Sequence, residues 1–126
     1  MTDRTARGEA MRRKVLGDAH VDRAKAATSA FDAPFQTMIT EGAWGTVWAS
    51  EALSLRDRSL LTLALLAAQG LEDEFIMHLK ATANTGASPD EVRDALLHVA
   101  VYAGVPRANT ALKWAKVAYF DMGIEL

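Results

Sequence analysis

The sequence predicts an all-α protein of six to eight helices, and two observations favour this class. No segment shows the alternation and turn residues of a β-hairpin. The eight glycines and three prolines lie where helices are expected to begin or end. The clearest of these boundaries is residues 88–91, because Ser88 can cap a helix, Pro89 suits its first position and Glu91 completes a capping box.

The first half of the chain predicts short helices separated by small and polar residues. The Gly17-Asp18 pair separates the first two, and Asp32 is expected to cap the third, which Gly42 ends. The tract at 43–49, AWGTVWA, is ambiguous and is consistent with a short helical turn. The three helices are expected at residues 9–16, 20–30 and 34–41.

The second half predicts longer helices. Ser54, with Asp57 three residues later, resembles a capping box that opens a helix through Gln69 and ends at Gly70. The apolar residues of this helix occur on all of its sides, so we expect it to be the buried centre of the fold. Three more helices are expected at residues 71–85, 89–103 and 105–122.

Length and composition exclude several classes of protein. The 126 residues suit one domain over residues 1–126, and 14 basic against 16 acidic residues give no basic face for nucleic acid. The absence of cysteine excludes disulfides, thiolate catalysis and cysteine-based zinc sites. Residues 1–14 lack the apolar core of a secretory signal, and the apolar run at 60–68 is too short for a bilayer. A cytoplasmic location without membrane contact is expected.

Two helical stretches, residues 60–68 and 96–105, are almost wholly apolar. A chain of this length has little material to cover both of them. Burial against identical subunits solves this problem, so we expect a homo-oligomer. The alternative is a monomer in which one of the two helices is well covered.

Glu74 and His78 are four residues apart, on one face of a predicted helix. A carboxylate beside an imidazole holds its tautomer and raises its basicity, as a general acid–base pair requires. Spacing alone equally fits a solvated surface contact. The zinc-protease motif His-Glu-x-x-His is not present, so no metal site is expected.

His98 and Tyr102 form a second pair with this spacing, on an otherwise apolar helix. The pattern favours a core pair satisfied by hydrogen bonds, at a subunit contact, over a catalytic pair. His20 lies among charged residues and is expected to be solvated.

Arg56 and Arg58 flank Asp57 at the start of the predicted central helix. Either arginine could simply pair with a nearby carboxylate, but a guanidinium beside a pocket also binds a carboxylate through two hydrogen bonds. Trp44 and Trp48 are typical of core or interface anchors, and they could also wall an apolar pocket.

Four tracts, in this order, resemble the γ-carboxymuconolactone decarboxylase family, and together they cover roughly residues 8–122. The wider superfamily is similar to the alkylhydroperoxidase D type, whose Cys-x-x-Cys motif corresponds here to Leu71 and Glu74. Ser59 stands where that superfamily has a relay glutamate, whereas the matching histidine, His78, is retained. Arg107 departs from the small residue that often follows the proline, at a subunit contact or pocket edge. The tracts are residues 41–48 (EGAWGTVW), 56–64 (RDRSLLTLA), 74–79 (EFIMHL) and 96–106 (LLHVAVYAGVP).

The resemblance implies an alkylhydroperoxidase D-like homo-oligomer, commonly a hexamer, that decarboxylates an acidic unsaturated lactone during aromatic degradation. The lactone ring can accept the electrons that carbon dioxide leaves behind, so neither a cofactor nor a metal is expected. A related enzyme on another small acidic lactone, or a non-catalytic helical binding module, remains an alternative.

The same resemblance implies roles for particular side chains. Arg58, or Arg56, anchors a carboxylate of the substrate, and His78, oriented by Glu74, delivers a proton. The substrate pocket is further expected to use Trp44 and Trp48 as walls. Glu41 is expected either to hydrogen-bond the tryptophan segment or to touch the substrate.

Overall fold

A computed structural model describes residues 2–126, and every regular element within them is helical, without a strand. The all-α prediction is confirmed. The chain divides into two compact units, the first ending at Ser54 and the second spanning Leu55–Leu126. In the described residues the elements are α1 (Asp3–Leu16), α2 (Asp18–Ala27), α3 (Ala33–Ile39), a π-helix (Thr40–Trp48), α4 (Leu55–Gln69), α5 (Glu72–Lys80), α6 (Thr82–Thr85), α7 (Pro89–Tyr102) and α8 (Val105–Asp121).

In the first unit, α1 packs closely against the π-helix. Gly8 and Gly45 allow this approach, because a Cβ atom on Gly8 would lie 2.0 Å from the carbonyl oxygen of Thr40. Two arginines of α1 fasten the helices together. Arg4 donates from Nε to the Glu41 carbonyl at 3.0 Å, and Arg7 donates from Nε to the Gly45 carbonyl at 3.1 Å.

The starts of α1 and α3 differ from the prediction. α1 begins six residues before the expected position 9, because Thr2 caps it by accepting a hydrogen bond from the Thr5 amide at 3.0 Å. Asp32 makes no side-chain cap to α3. Its carboxylate instead accepts from the Ser29 amide at 2.7 Å and closes the preceding turn.

The expected helix end at Gly42 is also wrong. α3 ends at Ile39, but the backbone continues as a π-helix through Trp48. The Ala49 amide donates to the Trp44 carbonyl at 3.0 Å, which is the i to i+5 hydrogen bond that defines this helix type. The ambiguous tract is therefore helical, with a wider turn than an α-helix.

In the second unit, α4 packs against α5, α6, α7 and α8. It is central, but it is not buried on all sides as we expected. Its buried residues Ser59, Leu63 and Ala67 form one stripe, whereas Leu61 and Leu65 are 50% and 61% exposed. The larger buried side chains of this core are Leu63, Phe75, Leu79, Val92, Leu96, Val99 and Tyr119.

The capping box of α7 is confirmed. The Glu91 amide donates to Ser88 Oγ at 3.1 Å, and the Ser88 amide donates to Glu91 Oε1 at 3.0 Å. The helix expected at 71–85 is divided at Ala81 into α5 and α6, and Gly86, with φ of +87°, ends the second piece.

Candidate functional site

The predicted site residues lie in both units of the structure. The first unit contains Glu41, Trp44 and Trp48, all on the π-helix. The second unit contains the two arginines near the start of α4 and the acid–base pair on α5, namely Arg56, Arg58, Glu74 and His78.

Trp44 and Trp48 are buried and stacked, with ring centroids 5.1 Å apart and an interplanar angle of 25°. The wider turn of the π-helix brings residues four apart closer to one line than an α-helix does. Offset stacking of two large aromatic rings is favourable in such a position. π-helical turns are rare and frequently occur at functional sites. The sequence of this segment did not indicate this helix type.

Glu41 fastens the π-helix to α1. Its Oε1 accepts a hydrogen bond from the Thr5 hydroxyl at 2.8 Å, in a partly buried position. Its backbone carbonyl accepts from Thr46 Oγ1 at 3.0 Å, as well as from Arg4. Of the two roles expected for this residue, the contacts within the first unit favour the structural one.

His78 and Glu74 differ in burial although they are one turn apart on α5. His78 belongs to the buried face of the helix with Phe75 and Leu79, and it is 8% exposed. Glu74 is exposed in the acidic first turn. The imidazole is therefore shielded from water, as a proton donor in a poorly solvated site would need to be.

Arg56 and Arg58 are distinguished by their surroundings. Arg56 is half exposed and is held by two carboxylates, at 2.9 Å from Glu91 Oε2 and 3.3 Å from Asp57 Oδ1. It joins the start of α4 to the capping box of α7. Arg58 is partly buried, two residues further along. The ion pairs of Arg56 give it a structural role between these two helices, and the assignment of Arg58 as the anion-binding residue stays a prediction.

The burial of two hydroxyl groups, those of Ser59 and Thr85, is a feature that the sequence did not predict. Ser59 is 1% exposed, and neither its Oγ nor Thr85 Oγ1 has a hydrogen-bond partner among the described residues. α4, which carries Ser59, contacts both α5 and α6. Ser59 shares one helical stripe with the apolar residues Leu63 and Ala67, and this pattern could have indicated a buried hydroxyl. Burial of a hydroxyl without a hydrogen bond costs free energy, so such a serine is a candidate functional residue.

The remaining candidates differ from expectation. His98 and Tyr102 stack with ring centroids 4.8 Å apart, but in the single chain they are exposed, Tyr102 by 79%, so they do not belong to the core of the subunit, and their place at a subunit contact stays a prediction. His20 is partly buried rather than solvated, and burial, followed by Arg23 and Arg12, lowers its pKa.

Arg107 covers the turn between α4 and α5. A Cβ atom on Gly70 would lie 1.9 Å from Arg107 Nη1, so the guanidinium packs directly on this glycine, whose φ is +72°.

Neither a metal cluster nor a membrane span occurs in residues 2–126. No group of three or more histidine, cysteine, aspartate or glutamate side chains among them is arranged to hold a metal ion. None of the described helices has both the length and the apolar character needed to cross a membrane.

The fold and these residues define a small, all-helical protein that presents a shielded histidine and a partly buried arginine. The model of the carboxymuconolactone decarboxylase family matches residues 33–117, and the chain belongs to this family. It is 41% identical over 121 residues to a 4-carboxymuconolactone decarboxylase of Acinetobacter baylyi, covering 96% of this chain and 90% of the relative. It is also 41% identical over 115 residues to a nitrosuccinic acid decarboxylase of Metarhizium robertsii, covering 91% of this chain and 80% of that protein.

Proposed function

We propose that this protein decarboxylates γ-carboxymuconolactone to the enol-lactone of β-ketoadipate, in the breakdown of protocatechuate. The observation that carries the proposal is the 41% identity, over 96% of the chain, to a 4-carboxymuconolactone decarboxylase. We further propose that it acts in the cytoplasm as a homo-oligomer, a hexamer by family resemblance.

The chemistry needs no external electron sink. When the bond between the γ carbon and its carboxylate breaks, the electron pair moves through the ring double bond onto the carbonyl oxygen of the lactone. The product is a furan-like dienolate, which takes up a proton at the α carbon. One proton is consumed for each carbon dioxide released. The protein must therefore hold the surviving carboxylate, stabilise the oxyanion and supply the proton.

His78 is the proposed proton donor. Its burial on α5 keeps it away from bulk water, and an imidazole is the side chain most often used as a general acid in enzymes. Glu74 is proposed to orient the imidazole from one turn away. Glu74 is exposed in the single chain.

Arg58 is the proposed anchor for the carboxylate that the substrate keeps. Its planar guanidinium can donate two parallel hydrogen bonds to one carboxylate. Arg56 is a poorer choice because Glu91 and Asp57 already balance its charge. The roles expected of Trp44 and Trp48 as pocket walls stay predictions.

The name of the other relative, a nitrosuccinic acid decarboxylase, gives a second candidate substrate for this protein. That compound also has two carboxylates, one of which is on the carbon bearing the nitro group. Loss of that carboxylate as carbon dioxide sends an electron pair onto the nitro oxygens, just as decarboxylation of the lactone sends a pair onto its carbonyl oxygen. The same anchor, oxyanion donors and proton donor could therefore serve both reactions.

The test is to incubate the purified protein separately with γ-carboxymuconolactone and with nitrosuccinate, without added cofactor. We expect carbon dioxide release, uptake of one proton and loss of the enone absorbance with the lactone, at a higher kcat/KM than with nitrosuccinate. A higher kcat/KM with nitrosuccinate would make that compound the substrate. Turnover of neither would support the related-lactone enzyme or the binding module.

A further inference from the structure

The first unit contains a cavity of about 290 Å³ between α1, α2 and α3. Its volume is near the lower end of the range found for small-molecule pockets. Its walls combine apolar surface with polar side chains, among them Glu9, Arg12, Lys25, Gln36, Thr37 and Thr40. The carboxymuconolactone reaction proposed above uses none of these residues.

Two adjacent arginines of α1 differ in how their charge is balanced. Arg13 donates to three carboxylates, those of Glu9, Asp18 and Asp22, at 3.4, 3.0 and 2.9 Å. Arg12 lines the cavity, and within the described residues its guanidinium makes no ion pair. Its one hydrogen bond there runs from Nη1 to the neutral amide oxygen of Gln36, at 3.0 Å.

Arg12 is also partly buried, and its Nε is buried without a partner among the described residues. Burial lowers the pKa of Arg12, although an arginine stays charged at any physiological pH. A partly buried cation without a counter-ion costs free energy that a bound anion would recover.

The nearby charges do not neutralise Arg12. Glu9 is the one carboxylate in the described lining, and it is already bound by Lys25 Nζ and by Arg13 Nε. The ionisable groups of that lining are therefore two cations and one carboxylate. The positive charge of Arg12 also acts on His20, whose pKa is lowered by burial first and then by Arg23 and Arg12.

We propose that this cavity is a binding site for a small oxyanion, a carboxylate or a phosphate group, held by the free donors of Arg12. The planar guanidinium offers its terminal nitrogens to two oxygens of one anion, because each carries two N–H groups and the Gln36 amide oxygen accepts from Nη1 alone. The hydroxyl groups of Thr37 and Thr40 in the lining can donate further hydrogen bonds.

The proposal is tested by binding, with no need for turnover. The full chain is titrated with sodium succinate and, separately, with sodium phosphate at constant ionic strength, and the Arg12 Nε–H resonance is followed by NMR. Sodium chloride is the control for unspecific ionic effects. We expect saturable shifts with succinate or phosphate and none with chloride. Saturation by only one of the two anions would show whether the site binds a carboxylate or a phosphate group. Shifts no larger than those with chloride would contradict the proposed binding site.

Variants distinguish binding by the Arg12 guanidinium from a general effect of positive charge in this unit. Arg12→Gln should weaken binding about tenfold or more, as expected for loss of charge-assisted hydrogen bonds. Arg23→Gln removes the same charge from an exposed position of the same unit, outside the cavity lining, and should bind like the parent. Equal binding by Arg12→Gln and the parent would contradict the proposal.

Gln36→Glu keeps the test decisive if Arg12→Gln fails to fold. It is isosteric and places a carboxylate where the amide oxygen now lies, 3.0 Å from Arg12 Nη1. The internal carboxylate should occupy the site, so oxyanion binding should be lost while the thermal midpoint rises. A Gln36→Glu protein that binds succinate and phosphate as well as the parent would refute the assignment of Arg12.

Discussion

Arginine residues in this chain illustrate how the surroundings of one side-chain type decide its role. Arg56 and Arg13 each bind more than one carboxylate and join helices. Arg107 packs directly on Gly70. Arg12 is partly buried beside a neutral amide. Because an arginine is always charged, a position with little compensation is one where an anionic ligand contributes most.

The first prediction separates the two arginines of α4. Arg58→Lys keeps the charge but loses the planar fork, so kcat/KM for the lactone should fall about tenfold or more, for a cost of about 1.5–3 kcal/mol. Arg56→Lys is the matched control and should change kcat/KM little, because its ion pairs lie at the surface. Steady-state kinetics decide between them. The reverse ranking would exchange the roles, and no effect of either change would place the anchor elsewhere.

The second prediction concerns His78. A glutamine at this position retains hydrogen-bonding groups but cannot supply a proton near neutral pH. His78→Gln should therefore lower kcat by about 10²–10⁴-fold, the usual contribution of general acid–base catalysis. Glu74→Gln should cost less, because it disturbs orientation and leaves the donor in place. Circular dichroism of each variant checks the fold.

The opposite ranking would make Glu74 the acid and His78 its support. A folded His78→Gln protein with kcat within about threefold of the parent would remove His78 from proton transfer, given the usual size of that contribution. His98 or Tyr102 would then be the next candidate.

Spacing predicted the pair on α5 but could not predict its burial. Positions four apart in an α-helix are rotated by about 40° from one another, so one can enter a buried face while the other stays at its edge. This is the case for His78 and Glu74. The unsatisfied Ser59 hydroxyl was equally hidden, since burial of a single polar residue depends on which helices pack on it.

At the scale of elements, the helix boundaries at Ser88 and Gly70 were predicted correctly, whereas the expected cap at Asp32 was wrong. The capping box at Ser88 and Glu91 and the glycine end of α4 depend on residues within one turn of the boundary. The π-helix was not predicted, because its wider turn follows from tertiary contacts. Arg4 and Thr5 of α1 bind it through backbone and side chain of Glu41.

The third prediction tests that packing. Gly8→Ala would place a Cβ atom 2.0 Å from the Thr40 carbonyl oxygen, and a backbone atom cannot rotate away. We expect a loss of about 1–3 kcal/mol in the free energy of unfolding, typical of overpacking. The fluorescence of the stacked Trp44 and Trp48 should also change. Urea unfolding followed by tryptophan emission measures both quantities.

Gly42→Ala is the matched control, because no atom outside its own helical backbone lies within 4 Å of the place where its Cβ would be. The residue is helical, so the change should be neutral or slightly stabilising, since alanine favours helical backbone over glycine. Equal unfolding midpoints for the two variants would show that the close approach of α1 and the π-helix is not needed.

At the scale of the whole molecule, exposed apolar side chains are the main unexplained feature. Leu61 and Leu65 on α4, and Leu97 and Val101 on α7, are at least half exposed, and the two helices pack against each other. Exposed apolar side chains of this size on adjoining helices are typical of protein interfaces. The apolar character of both helices was evident from sequence, whereas which of their faces stays uncovered depended on how α4, α7 and α8 pack.

The last prediction is that these side chains hold the protein together as an oligomer of more than two chains at micromolar concentration. Val101→Glu puts a charge on a side chain that is 75% exposed in the single chain, so it should not disturb the fold of the subunit. In a subunit contact the same charge would be desolvated without a partner, which is costly, and the variant should sediment as a smaller species. Ala26→Glu, on the exposed and polar surface of α2, is the control and should sediment like the parent. Sedimentation velocity across the micromolar range distinguishes these outcomes. A folded monomeric parent over that range would contradict the oligomer, and with it the interpretation of His98 and Tyr102 as interface residues.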